Sequence, residues 1–455
     1  MTFTRSSRRR AVALAGIAAT LILGACSGPA ASEPPAAPAG SEPAGSAPAA
    51  KVTGDIELWH FFTDREAGVI QTAVDNFTKA NPDIHVTVKS GQDDEKVLQA
   101  ISAGQPVDVA ISYSTDQVGP LCSSGAFIDL KPFIDRDKVN MDEIPAVTQS
   151  YTQYNGTRCT LPSLADAYAI YYNKDLFTKA GLTEPPKTLD ELTQYAVKLT
   201  EYNADGSIKV AGFMPLTDYY ETNPQTLSAA VQAKWLNDDG TSAIGSDPNW
   251  RTLFNWQKDI IGKLGGYDKL AKFQAGLGEE FSAQNDFHTG RTAIVIDGEF
   301  RSAFIADQAP DLNYGTAPIP VAADHADAYG AGYIGGNIIG IGKGSQNPDA
   351  AWELVKYLAL NTDAQVQIGN GLKNVPTIAS AAQSPNLEVS EQYKVFLEVY
   401  ANAKSVTTPP AMIGAQYQEF LGQFAADWQS GKQTDLEAGL RAVDENINAA
   451  VELGG

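Results

Sequence analysis

From residue 55 to residue 111 the hydrophobic period of the chain alternates between two and 3.6, and that alternation leaves few folds open. Asp55-Ile56-Glu57-Leu58-Trp59 alternates polar and apolar, as a half-buried strand does. Val69, Ile70, Ala73, Val74 and Phe77 then recur at helical spacing, behind a candidate N-cap at Thr63-Asp64 with Glu66 near the helix start. Asn81-Pro82-Asp83 ends that helix, and residues 84–88 alternate again. Residues 93–103 read as a second helix, with Gly104 to stop it, and residues 107–111 as a third strand. Strands separated by helices make βαβ units, so the class is α/β with a mainly parallel sheet.

The same grammar continues. Leu161-Pro162 precedes an apolar strand over 167–172, and Thr188-Leu189-Asp190-Glu191 has the offset of a capping box. Asp205-Gly206 reads as a tight turn and residues 292–296 as a buried strand. Asn347-Pro348 reads as an N-cap followed by proline at the first helical position, and the last 60 residues are helical in pattern.

The N-terminus is a different kind of segment. Arg5, Arg8, Arg9 and Arg10 precede an apolar run over 11–23, then Leu23-Gly24-Ala25-Cys26. This is the pattern of a secretory signal with a lipobox, and its apolar run is short of the roughly 20 residues a spanning helix needs. We therefore expect residues 1–25 to be a signal peptide and Cys26 to carry lipid. Residues 26–50, almost entirely Ala, Pro, Gly, Ser and Glu, lack the large apolar side chains that offset ordering entropy, and read as a flexible tether. The expected location is the outer face of the cytoplasmic membrane, held there only by acyl chains. Beyond residue 50 about 400 residues remain, too many for one simple core and enough for two lobes.

Net charge of −21 argues against a nucleic-acid partner. Of three cysteines, Cys122 and Cys159 remain once Cys26 is lipidated. An even pair outside the cell is expected to form a disulfide, stabilising by roughly 3–4 kcal/mol in the chain-entropy treatment. Gly330-Ala331-Gly332-Tyr333-Ile334-Gly335 spells G-x-G-x-x-G but lacks a strand before it and a helix after it, so it is read as a decoy. Gly342-Lys343 lacks the hydroxyl residue of a P-loop, and the four histidines are not at metal-ligand spacing. No catalytic motif, metal site or cofactor is expected.

Several segments, in order, carry a resemblance. They are Ile56 to His60, Asn81-Pro82-Asp83-Ile84-His85-Val86, and Ala103-Gly104-Gln105-Pro106-Val107-Asp108-Val109. Tyr172-Asn173-Lys174-Asp175-Leu176-Phe177 and Pro186 to Leu192 follow. Then come Phe287 to Ala293 leading to Asp297-Gly298, Gly335-Gly336 leading to Gly342-Lys343-Gly344-Ser345, and Asn347 to Trp352. Together they resemble the family 1 extracellular solute-binding proteins, the maltose-binding-protein-like carbohydrate receptors of ABC importers.

The resemblance implies a two-lobed, periplasmic-binding-protein-like (type II) α/β fold with ligand in the cleft between lobes. Crossings are expected near 161–167, 318–322 and 375–379. Lobe 1 is then 51–163 plus 322–378, and lobe 2 is 164–321 plus 379–455. It further implies a monomeric, non-enzymatic receptor that delivers a carbohydrate to permease subunits with a cytoplasmic ATPase. By position, Asp64 and Arg65 match a charged pair after the first strand, although Asp64 reads equally well as a helix cap. Asp116, Asp166 and the run Tyr219, Tyr220, Glu221 match acidic and aromatic contacts. Asp297, Glu299 and Phe300 match the loop after the buried strand, where the family usually has Trp, so stacking there is weakened. Gly335, Gly336 and Asn337 would bring backbone close to ligand.

Carboxylates accept strongly from sugar hydroxyls and aromatic rings cover apolar sugar faces. Few clustered basic residues suit a neutral sugar better than a phosphate or sulfonate. Trp59, Trp352 and Trp428 read as core, Trp235 and Trp256 stay open, and Tyr171-Tyr172 reads as structural. One further contact is expected around Gln416 or Tyr417. The alternatives are the same fold binding ferric ion, since Tyr219-Tyr220 resembles ferric-receptor tyrosines, or a phosphate ester, and a secreted glycoside hydrolase.

Overall fold

The computed structural model describes residues 51–454. The signal peptide, Cys26 and the tether lie outside the described residues. Nine strands form one mixed sheet in the order β2-β1-β3-β9-β4-β7-β6-β5, with β8 also on β4. The strands are β1 (Gly54–His60), β2 (Ile84–Lys89), β3 (Val109–Ser112), β4 (Thr160–Asn173), β5 (Glu201–Tyr202), β6 (Ile208–Phe213), β7 (Thr292–Gly298), β8 (Tyr314–Ala317) and β9 (Ile334–Ile341).

The expected mainly parallel sheet is corrected by the two crossing strands. β1 pairs in parallel with β2 and β3, and β6 with β7, as βαβ units require. β9 runs antiparallel to both β3 and β4, and β4 runs antiparallel to β7 and β8. β4 is the longest strand because it serves two lobes. Its residues 160–167 pair with β9, and its residues 168–173 pair with β7 and β8.

Local signals worked where they were local. Helix Asp64–Ala80 buries Ile70, Ala73, Val74 and Phe77. Helix Leu189–Leu199 carries the full capping box between Thr188 and Glu191. Two caps behave differently. Thr63 and Asn347 occupy N-cap positions without a side-chain cap hydrogen bond, and the Asn347 amide instead donates to the Asp55 carbonyl at 2.9 Å.

Residues 318–328 are held by two other segments. Val321 N donates to Lys187 O and Ala322 N to Ala230 O, and the 3-10 stretch Ala323–Ala328 lies against helix Pro224–Val231 of lobe 2. Val375 bridges Ala165 on β4.

One core fills a face of the lobe 1 sheet around Leu58, Phe77, Ile339 and Trp352. Trp352 is fully buried, stacks on Phe133 and donates Nε1–H to Asp137 at 2.8 Å. A larger core runs from Phe127 and Tyr151 through the crossing strands to Trp250, Phe254 and Trp428. All six tryptophans are at most 8 % exposed, which also assigns Trp235 and Trp256 to the core. Tyr171 is buried, with its hydroxyl donating to Gly298 O at 2.8 Å. The Cys122–Cys159 disulfide is formed, tying helix Val118–Ser123 to the residue before β4 across a separation of 37.

Candidate functional site

Where β3, β4 and β9 meet the first turns of helices Pro224–Val231 and Gln416–Gln429, they line a cavity of about 170 Å³. Its wall contains Asp116, Asp166 and Glu221, the amides of Asn223, Gln225 and Gln418, and the rings of Tyr113, Tyr168 and Tyr333.

Each wall residue has a local reason for its position. Asp116 lies on the 3-10 turn Thr115–Gln117 that follows β3, and Ser114 caps that turn by accepting from Asp116 N. Its carboxylate accepts from Gln418 Nε2 on helix Gln416–Gln429, so one hydrogen bond spans the two lobes. Asp166 and Tyr168 are two apart on β4 and share a face. Tyr168 meets Tyr333 at 5.5 Å between ring centroids, and the Tyr333 hydroxyl bonds Thr408 at 3.0 Å. Glu221 precedes helix Pro224–Val231, whose N-cap Asn223 accepts from Thr226 N and donates to Glu221 at 3.2 Å.

Behind Asp166 sits a buried relay. Asn374 Nδ2 donates to Asp166 Oδ1 at 2.6 Å and to Glu299 Oε1 at 3.0 Å, and Glu299 Oε2 accepts from Ala167 N at 2.8 Å. Burial pushes the pKa of both carboxyls up, and their mutual repulsion adds to the rise at Glu299. The two carboxyls titrate as a pair whose ionisation burial opposes, most strongly at Glu299, the member sealed from solvent. Glu221 is pushed up to about 8 by burial and by the charges of Asp297, Glu280 and Asp166. Burial likewise raises Asp116.

Of the residues singled out in the sequence, Asp116, Asp166, Glu221, Gly335 and Gly336 come together in this wall. Gly336 has φ 142, and a Cβ there would stand 2.3 Å from Leu164 O, so this glycine is needed for β9 to approach β4.

The others do not reach the cavity. Asp64 is exposed with φ 46, and Arg65 donates to Gly371 O at 2.6 Å on lobe 1. In that segment it is Glu66 whose charge acts on Asp166. Tyr219 is buried and Tyr220 half-buried, and both hydroxyls donate to Asp286, so this pair is not presented to a metal. Asp297 is fully buried and holds Arg301 Nε at 2.5 Å. Glu299 orients Asp166 from behind, and Phe300 packs toward Phe281. Asn337 donates to Tyr113 O at 3.2 Å and so positions Tyr113.

The C-terminal contact is Gln418. Gln416 is exposed, and the Tyr417 hydroxyl donates to Pro409 O at 2.8 Å. Sequence reasoning missed Tyr113, Tyr168, Tyr333 and Glu66. Two-residue alternation from Asp166 would have found Tyr168. Among the described residues no group of three or more His, Cys, Asp or Glu is placed to hold a metal ion. The G-x-G-x-x-G run follows a 3-10 stretch and enters β9 at Ile334, so it does not join a strand to a helix.

The profile of the bacterial extracellular solute-binding proteins matches residues 63–365. The maltotriose-binding protein of Pyrococcus abyssi is 25% identical over 399 residues, 87% of this chain and 82% of that one. Two solved structures share the fold. CpMnBP1 with mannotriose bound superposes with a TM-score of 0.75 at 24% identity, covering 86% of this chain and 99% of that one. The cyclic alpha-maltosyl-1,6-maltose binding protein of Arthrobacter globiformis does so with a TM-score of 0.72 at 18% identity, covering 88% and 100%.

Proposed function

Because the chain belongs to the bacterial extracellular solute-binding proteins, we propose that it captures an extracellular carbohydrate in the interlobe cavity and delivers it to an ABC permease. The observation that carries this reading is the wall itself. Carboxylates and amides from both lobes surround a tyrosine floor, and no Lys, Arg or His is among them. Sugar hydroxyls are donors in every direction, so carboxylates suit them, while Tyr168 and Tyr333 offer faces for the C–H surfaces.

Asp116, Asp166, Glu221 and Gln418 are the direct hydrogen-bonding groups in this reading, and Glu299 and Asn374 position Asp166. Since Asp116 and Gln418 come from different lobes, ligand that joins their hydrogen bond favours the closed state a permease would recognise. The division into lobes near β4, β9 and Val375, the lipid on Cys26 and action as a monomer belong to the same proposal.

The wall opposes a phosphate ester, which would need a cation. Against a glycosidase stands membership of a family of solute-binding proteins. The relatives compared above are named as binding proteins.

A thermal-shift screen of the purified full chain against mono- and oligosaccharides, ferric ion and phosphate esters tests the proposal. Sugar at 100 times its Kd should stabilise by about 2.7 kcal/mol and be recovered intact. Stabilisation by iron or phosphate ester alone would overturn the carbohydrate assignment, and release of new reducing ends would overturn the non-enzymatic one.

A further inference from the structure

Within that carbohydrate reading, we propose that the cavity selects a sugar unit bearing a protonated amine, a hexosamine, over the corresponding neutral sugar.

The first support is charge. Asp116, Asp166 and Glu221 line the cavity and no cation does, among the described residues. The adjacent cations are committed elsewhere. Arg301 is fully buried and bonded to Asp297 Oδ2 at 2.5 Å and to Glu280 at 3.2 Å. Arg65 is turned to the Gly371 carbonyl. The wall is therefore lined by carboxyls with no counter-ion of its own, so ionising them there is costly until a ligand brings a cation.

The second support is hydrogen-bond capacity. Gln418 spends both amide N–H groups, on Asp116 and Tyr417, Asn374 spends both on Asp166 and Glu299, and Asn223 gives one to Glu221. A carboxylate has about four acceptor sites, so each carboxyl retains free lone pairs. A ligand entering here must bring donors. An ammonium brings three and accepts nothing, whereas each sugar hydroxyl also asks to be donated to. Thr226, in the same wall, keeps a buried hydroxyl without a partner, a further unused polar atom beside the site.

The third support is the effect of burial on Glu221, whose pKa rises to about 8 because both desolvation and neighbouring carboxylates oppose its charge. A cation beside it favours the ionised carboxylate as well as satisfying lone pairs. A neutral hydroxyl does only the second. The tyrosine pair keeps the ligand a sugar rather than a bare amine, and its rings also attract a cation.

Calorimetric titration of the full chain at pH 7 tests this. The probes are glucosamine, galactosamine and mannosamine, their parent hexoses and N-acetyl derivatives, chitosan oligosaccharides, maltotriose, mannotriose and spermidine. At least one amine sugar should bind about tenfold or more tightly than its hexose and its N-acetyl form. Asp166→Asn and, separately, Asp116→Asn should shrink that ratio below about threefold, with folding checked by circular dichroism.

Neutral sugars binding as tightly as amine sugars would overturn the charge inference and leave the carbohydrate reading intact. Spermidine binding without any sugar would overturn the carbohydrate reading and the hexosamine with it. Silence across the panel would overturn both.

Discussion

Glu221 should make the ligand-free protein lose stability between pH 6.5 and 8. Its carboxyl sits at about 8 in the folded chain against an ordinary 4.5. An acid whose folded pKa is raised holds its proton longer in the folded state than in the unfolded one. Its stabilisation is complete below 4.5 and is lost as pH climbs through 8. His60 and His288, held down at about 4 from 6.5, act in the opposite sense, but their contribution is complete by pH 6.5. Above that pH one proton of difference changes stability by about 1.4 kcal/mol per pH unit, so 1.5 units amount to about 2 kcal/mol. Glu280, pushed up to about 7, and the buried Glu299 act in the same direction and persist in a Glu221→Gln variant. The comparison of the two proteins isolates Glu221. Urea unfolding at pH 6.5, 7, 7.5 and 8 should show the wild type losing about 2 kcal/mol more than Glu221→Gln. Parallel curves would refute the argument, because the carboxyl would then not be buried among like charges.

Three further outcomes are expected. Replacing both Cys122 and Cys159 by Ala removes a cross-link with a separation of 37, worth about 4 kcal/mol in the chain-entropy treatment. With an unfolding entropy of about 0.8 kcal/mol/K for about 400 residues, calorimetry should show Tm falling by about 5 °C. Gly336→Ala, with its backbone in a region that favours glycine and a 2.3 Å approach to Leu164 O, should cost at least about 2 kcal/mol in chemical denaturation. Tyr168→Ala should weaken sugar binding about tenfold in titration calorimetry. Tyr172→Ala, whose ring packs on Phe177 instead, should leave affinity within about twofold.

What the sequence by itself determined is what depends on neighbours along the chain. Alternation over 55–59 and 84–88, helical spacing from Val69 to Phe77, and the Thr188–Glu191 box each involve a few consecutive residues, and the structure has those strands, that helix and that box. The pairing of Cys122 with Cys159 was legible by arithmetic and compartment. Motif order carried the family, and with it the two-lobed fold.

The tertiary structure decided which side chains face the cavity. Tyr219 and Tyr220 look like ligand contacts in the sequence, yet positive φ at Tyr220 and a buried Asp286 draw both hydroxyls into the protein. Gln418 rather than Gln416 or Tyr417 reaches Asp116, because helix phase is set by how Gln416–Gln429 packs. Residues 318–328 find partners at Lys187, Ala230 and helix Pro224–Val231, more than 80 residues away along the chain. Periodicity reports local backbone geometry, whereas this cavity joins segments from Tyr113 to Gln418, up to 302 residues apart at the Asp116–Gln418 bond. Burial among those segments raises the carboxyls, and burial is a property of the folded chain alone.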